Sequence, residues 1–142
     1  MCLAVYIASP SRLPLIAWRE ERPSFYVDDA EPDDPVRVHF PWPNVYYAGS
    51  HEGCGCGFAY GQMPEGLEDP DDDVRRRASL AALREYVTSA TTLGPVHLYA
   101  CWEGEQSYPE KSRGEVTVDV LHGDSFDFEQ LRMMVFPAVK SN

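Results

Sequence analysis

The chain has 142 residues, 44% of them hydrophobic and 12% aromatic, enough for one domain with its own core and too many for a disordered chain. Twelve Lys and Arg against 23 Asp and Glu leave a formal net charge of −11, so a polyanion meets overall repulsion and nucleic acid is not an expected partner. No apolar run approaches the ~20 residues that a membrane-spanning helix needs, so no membrane partner is expected either.

The opening stretch from Cys2 to Ala8 lacks a basic leader and is too short and too β-like for a signal peptide. A cytoplasmic protein is the resulting expectation. In that compartment thiols stay reduced, and the four cysteines do not point to a disulfide framework.

In chain order, Cys2 to Ala8 is apolar throughout, as a strand covered on both faces would be. Pro10 to Pro23 is marked by prolines and predicts irregular backbone with Trp18 as a packing anchor. Phe25-Tyr26-Val27 predicts a short strand, and the acidic, proline-bearing stretch from Asp28 to Pro35 an exposed loop. Val36-Arg37-Val38-His39-Phe40 alternates and predicts a strand with one wet face; Asn44 to Ala48 predicts another. A second acidic loop is expected from Met63 to Asp69.

The clearest helix signal runs from about Pro70 to Leu93. Asp69 can cap it, Pro70 suits its first position, and Asp71, Asp72 and Asp73 complement the positive end of its dipole. Leu80, Leu83, Val87 and Ala90 form one apolar stripe, and Gly94-Pro95 ends the helix. Arg75, Arg76 and Arg77 sit within pairing distance of the three aspartates and read as a solvated face. Val96 to Trp102 predicts a central strand. Val116, Val118 and Val120 alternate as a half-buried strand does, Asp124 to Leu131 suits a short capped helix, and Arg132 to Phe136 suits its end or a last strand. Strands, one long helix, then strands again is not βαβ alternation. The expected fold class is α+β: a single domain, 1–142, with a mixed, mostly antiparallel sheet and one long helix, 70–93, on one face.

Chemistry concentrates in Ser50-His51-Glu52-Gly53-Cys54-Gly55-Cys56-Gly57-Phe58, where two cysteines are each flanked by glycine. Tetrahedral zinc holds sulfurs about 3.8 Å apart, given Zn–S bonds of about 2.3 Å. In an extended strand the Cα atoms of residues two apart lie ~6.6 Å apart, so convergence requires a curled backbone. The glycines permit one. Zinc or iron held by His51, Cys54 and Cys56 is the leading functional expectation, with Cys2 or Cys101 as a fourth donor.

Two other classes compete. A redox dithiol would pair Cys54 with Cys56 in a small strained ring. A non-catalytic binding or assembly module would use its aromatic residues to contact a protein or small ligand, with purely structural cysteines. Unshielded sheet edges would favour a homodimer. A phosphate-binding loop is not indicated, because no Gly-Lys-Ser/Thr ending follows the glycines. Cys101, on an apolar strand, is expected in the core; His39 and His122 are expected at the surface or hydrogen-bonded.

The opening Met1-Cys2-Leu3-Ala4 superficially resembles, over those four residues, that of hydrogenase-maturation chaperones and N-terminal-nucleophile amidohydrolases. The resemblance implies a Cys2 whose thiol and freed α-amine act as nucleophile and base. The chain lacks the proline that follows in the chaperone pattern and is short for the hydrolase fold. A buried strand cysteine is therefore the expected role of Cys2.

Overall fold

The computed structural model describes residues 2–59, 70–123 and 125–139. Six strands form one sheet: β1 (Leu3–Ser9), β2 (Tyr26–Asp29), β3 (Asn44–Gly49), β4 (Val96–Trp102), β5 (Ser112–Glu115) and β6 (Arg132–Phe136). Their order is β2-β3-β1-β4-β6-β5. Every neighbouring pair is antiparallel except β5 with β6, which is parallel. Among the described residues the single long helix, α1, spans Pro70–Thr91. The fold is α+β, as the sequence pattern predicts.

Helix α1 covers one face of the sheet. Its stripe of Leu80, Leu83, Val87 and Ala90 packs on Leu3, Val5 and Ile7 of β1, Leu98 and Ala100 of β4, and Met134 and Phe136 of β6. Phe25, Phe58 and Tyr86 meet there edge to face, with Phe25 5.8 Å from Tyr86 and 6.1 Å from Phe58 between ring centroids. The Tyr86 hydroxyl donates to the Pro14 carbonyl at 2.7 Å and ties the proline-marked strap to the helix. Tyr86→Phe removes only that bond. We expect it to lower the unfolding free energy by about 1 kcal/mol, read from urea unfolding, with no change in secondary structure.

Among the described residues the opposite face is covered without a second long helix. Ala4, Tyr6 and Ala8 of β1, Val45 of β3, Tyr99 and Cys101 of β4 and Met133 of β6 form a second core with Ala30, Val36 and Phe40. Covering on both faces explains why all seven residues of β1 are buried. Arg37 fixes the covering segment by donating to the carbonyls of Ala30, Glu31 and Pro43.

The strand expected at Val36–Phe40 is instead a 3-10 turn, Pro35–His39. Asp34 caps it by accepting from the Val36 N–H, and Pro35 fixes the first turn position. The alternation misleads because only Val36 and Phe40 point inward, while Val38 is 76% exposed. The valines at 116–120 likewise do not form one strand: β5 ends at Glu115, and Val118–Val120 is another 3-10 turn. Residues 125–131 contain no helix, and 132–136 are the last strand. Trp18, expected as an anchor, is 40% exposed and rests edge-on against Tyr26. Asp69 and the acidic loop from Met63 lie outside the described residues.

The aspartates and arginines of the first turns pair as anticipated, Asp72 with Arg75 and Asp73 with both Arg76 and Arg77, but the face is not wholly solvated: Arg76 is buried and also donates to the Gly123 carbonyl at 2.7 Å. Cys101 is fully buried. His39 shares a hydrogen bond with the Gln106 carbonyl at 2.8 Å. Among the described residues no helix is long and apolar enough to cross a membrane.

Candidate functional site

The glycine-cysteine run leaves the end of β3 and curls back over the start of β1. Ser50, fully buried, organises the curl. Its Oγ donates to the Cys54 carbonyl at 2.6 Å and accepts from the Gly57 N–H at 3.0 Å and the Glu52 N–H at 3.2 Å. Its own N–H donates to the same Cys54 carbonyl at 2.9 Å. A short 3-10 turn, Gly55–Phe58, follows and seats Phe58 in the core beneath α1.

Two of the glycines are required by close approach. A Cβ on Gly55 would stand 2.7 Å from the Leu3 carbonyl oxygen, and one on Gly57 2.2 Å from Ser50 Oγ. A larger residue at 55 would push the loop off β1, and one at 57 would collide with the Ser50 hydroxyl that organises the curl. The loop is therefore held against the start of the chain.

That contact brings three thiols together. The sulfurs of Cys2, Cys54 and Cys56 all lie within 4.8 Å of one another. The Leu3 N–H donates to Cys56 Sγ at 3.2 Å, and the Cys56 N–H reaches the Cys54 sulfur. Backbone donors aimed at sulfur favour its charged form. Burial acts more strongly in the other direction and pushes the Cys54 thiol up to about 12, with the neighbouring thiols of Cys56 and Cys2 adding to the rise. Without a cation Cys54 is a protonated, poorly nucleophilic thiol. Three sulfurs so arranged can hold a metal ion.

Cys2 is exposed and is not the buried strand cysteine expected from sequence. It precedes β1, and its carbonyl accepts from the Glu103 N–H at 2.8 Å just past the end of β4. Cys101 belongs to the second core, where burial pushes its thiol up to about 12, and it is not part of the cluster. His51 is not in the cluster either. Its Nδ1 lies 2.9 Å from Ser79 Oγ on α1, its N–H donates to the same oxygen, and its Nε2 is 3.5 Å from a Glu52 carboxylate oxygen.

Tyr26 and Tyr47 stand close enough to feel charge on both Cys54 and Glu103, and burial raises both phenols above their usual range. The Tyr26 hydroxyl donates to the Gly53 carbonyl at 2.6 Å and pins the outer side of the loop. The membership of Cys2 has one signal in the sequence. Once β1 and β3 are paired antiparallel with Val5 opposite Ala48, extending the register sets Cys2 opposite residue 51.

Burial holds His51 and His97 below the usual histidine range, helped at His51 by Arg75 and at His97 by Arg113. Glu52 and Asp72 oppose the shift at His51, and Glu110 opposes it at His97. The unfolded chain therefore binds these protons more readily than the fold does. Stability from this source is fully present above pH 6.5 and is lost as the pH falls through the lower folded-state values. Urea unfolding between pH 7.5 and 5 should fall less steeply for His51→Asn than for the native chain.

Comparison of the chain with protein-family models, with curated proteins and with solved structures gives no match.

Proposed function

We propose that this protein is a metal-binding protein whose Cys2, Cys54 and Cys56 hold one thiophilic ion, zinc by preference and iron as the second choice. The convergence of three sulfurs from two distant parts of the chain carries this reading. Their spacing is near the ~3.8 Å that tetrahedral zinc requires, so a small closure of the loop suffices. Soft thiolate donors select zinc, copper(I) or iron over magnesium and calcium. The acidic balance of the chain, −11, favours approach of a cation.

Three protein donors leave a fourth coordination position, as in zinc sites that act on a bound water or an exchangeable ligand. Cys2 is exposed, so an external donor can enter from that side. In this reading His51 steadies the loop through Ser79 and does not bind the ion.

A redox dithiol is less well supported, because the raised Cys54 thiol is a weak nucleophile at neutral pH. Elemental analysis of untagged protein purified without chelator should find one zinc or iron per chain, and none in a Cys54→Ser/Cys56→Ser double variant. Metal-free native protein that takes up no added zinc, iron or copper(I) would overturn the proposal.

A further inference from the structure

The three sulfurs of the cluster are not equivalent. Cys2 is exposed, whereas Cys54 and Cys56 are half-buried. An oxidant arriving from solvent meets Cys2 first. Cys101 is fully buried in the second core and is shielded from it.

Cys56 is placed to answer that oxidation. Its Sγ accepts from the Leu3 N–H at 3.2 Å, and that nitrogen is one peptide bond from the Cys2 Cα. With standard backbone dimensions the Cys56 sulfur lies within roughly 5.6 Å of the Cys2 Cα. The two sulfurs are already within 4.8 Å of each other. Rotation of the exposed Cys2 side chain can close that gap to the ~2.0 Å of a disulfide. Cys54 is as near to both, but a Cys54–Cys56 link joins residues two apart in a small strained ring. Gly55 between them lies against the Leu3 carbonyl, which leaves that backbone little room to adjust. The net charge of −11 disfavours an anionic oxidant and leaves a small neutral one, a hydroperoxide, as the suited class.

We infer that Cys2 is a site of peroxide oxidation with Cys56 as its resolving thiol, and that the disulfide so formed expels the bound ion. The Cys2 sulfur attacks one peroxide oxygen, the O–O bond breaks, and the other oxygen leaves as hydroxide. The Cys56 sulfur then attacks the sulfenic sulfur of Cys2; the S–S bond forms and the S–O bond breaks, releasing a second hydroxide. Two protons, from the thiols or from solvent where the ion has displaced them, turn both hydroxides into water. The two sulfurs lose two electrons in total, the peroxide gains them, and zinc leaves as the dication it was. Two of the three donors are then gone, and Cys54 alone does not hold the ion. Expulsion rests on the metal-binding reading above; the disulfide does not.

The test uses the full untagged chain, metal-free and in parallel loaded with zinc, given one equivalent of hydrogen peroxide, alkylated and mapped by peptide mass spectrometry. A Cys2–Cys56 link should exceed a Cys54–Cys56 link at least about tenfold, because the second ring is strained. Cys54 and Cys101 should be recovered alkylated, and dithiothreitol should restore all four thiols. Cys54→Ser should keep the link, and Cys56→Ser should leave a Cys2 sulfenic acid that dimedone traps. The urea-unfolded chain should lose the preference. The zinc-loaded chain should release one zinc per disulfide to a chromophoric indicator. A main product that joins Cys54 to Cys56 or to Cys2, links between chains, or Cys101 oxidised as readily as Cys2 would overturn the inference. Zinc retained after the link has formed would overturn the expulsion. A chain that takes up no zinc would sink the metal-binding reading, while the metal-free arm still decides the Cys2–Cys56 link.

Discussion

Zinc added to the metal-free chain should raise its unfolding temperature by on the order of 10 °C, while the Cys54→Ser/Cys56→Ser double variant should not respond. The size follows from linkage. An ion that binds only the folded chain stabilises it by about 4 kcal/mol at a thousandfold excess over its dissociation constant. Binding should be confined to the fold because the site joins two distant parts of the chain: Cys2 meets Cys54 and Cys56 only when β1 and β3 are paired. In the unfolded chain Cys2 is separated from the Cys54–Cys56 pair by some fifty residues of flexible chain, and the backbone donors on two of the thiols are lost. Cys2→Ser alone should retain part of the shift, since two sulfurs from one loop remain. Differential scanning calorimetry with and without zinc measures all three. An equal gain in the double variant would assign the effect to nonspecific binding by the acidic surface.

Ser50→Ala should cost about 2–3 kcal/mol and weaken metal uptake although Ser50 donates no ligand. Its hydroxyl makes three hydrogen bonds inside the loop while fully buried. Two of the groups it serves find other partners: the Cys54 carbonyl keeps the Ser50 N–H, and Glu52 is exposed to water. The Gly57 N–H is buried and would be left without its acceptor, which is the expensive part. Ser50→Thr keeps the hydroxyl and separates this loss from any general intolerance of substitution. Urea unfolding gives the stability, and zinc competition against a chromophoric chelator gives the affinity. A variant with native affinity would mean that the loop holds its shape through Gly55 and Leu3 alone.

Much of the fold was legible because burial writes simple patterns. The stripe of Leu80, Leu83, Val87 and Ala90 announces α1, and the apolar run from Leu3 to Ala8, with the largely apolar run of β4, announces strands covered on both faces. Alternation was a poorer guide. Val36 to Phe40 has the period of a strand, yet Asp34 and Pro35 start a turn that leaves Val38 in water. The valines from 116 to 120 alternate as well, but the chain leaves the sheet after Glu115.

The thiol site was half legible. Glycines around Cys54 and Cys56 announce a curled backbone, and the curl exists because Gly55 lies on the Leu3 carbonyl. The third sulfur was legible only as one of two alternatives for a further donor, Cys2 or Cys101, since strand register and not spacing brings Cys2 to residue 51. His51 is adjacent in sequence, yet α1 draws its ring to Ser79. Local spacing does not report a contact made by a helix that begins at Pro70.

Cobalt(II) titration of the metal-free protein, followed by absorption spectroscopy, tests the central claim most directly. The account predicts saturation at one cobalt per chain, with sulfur-to-cobalt charge-transfer absorption of three thiolates, tetrahedral ligand-field bands and reversal by zinc. Cys2→Ser should lower the charge-transfer intensity by about a third, because one of three sulfur donors is gone. A spectrum with no thiolate absorption, and all four thiols still reacting freely with a thiol reagent in the presence of zinc, would contradict it.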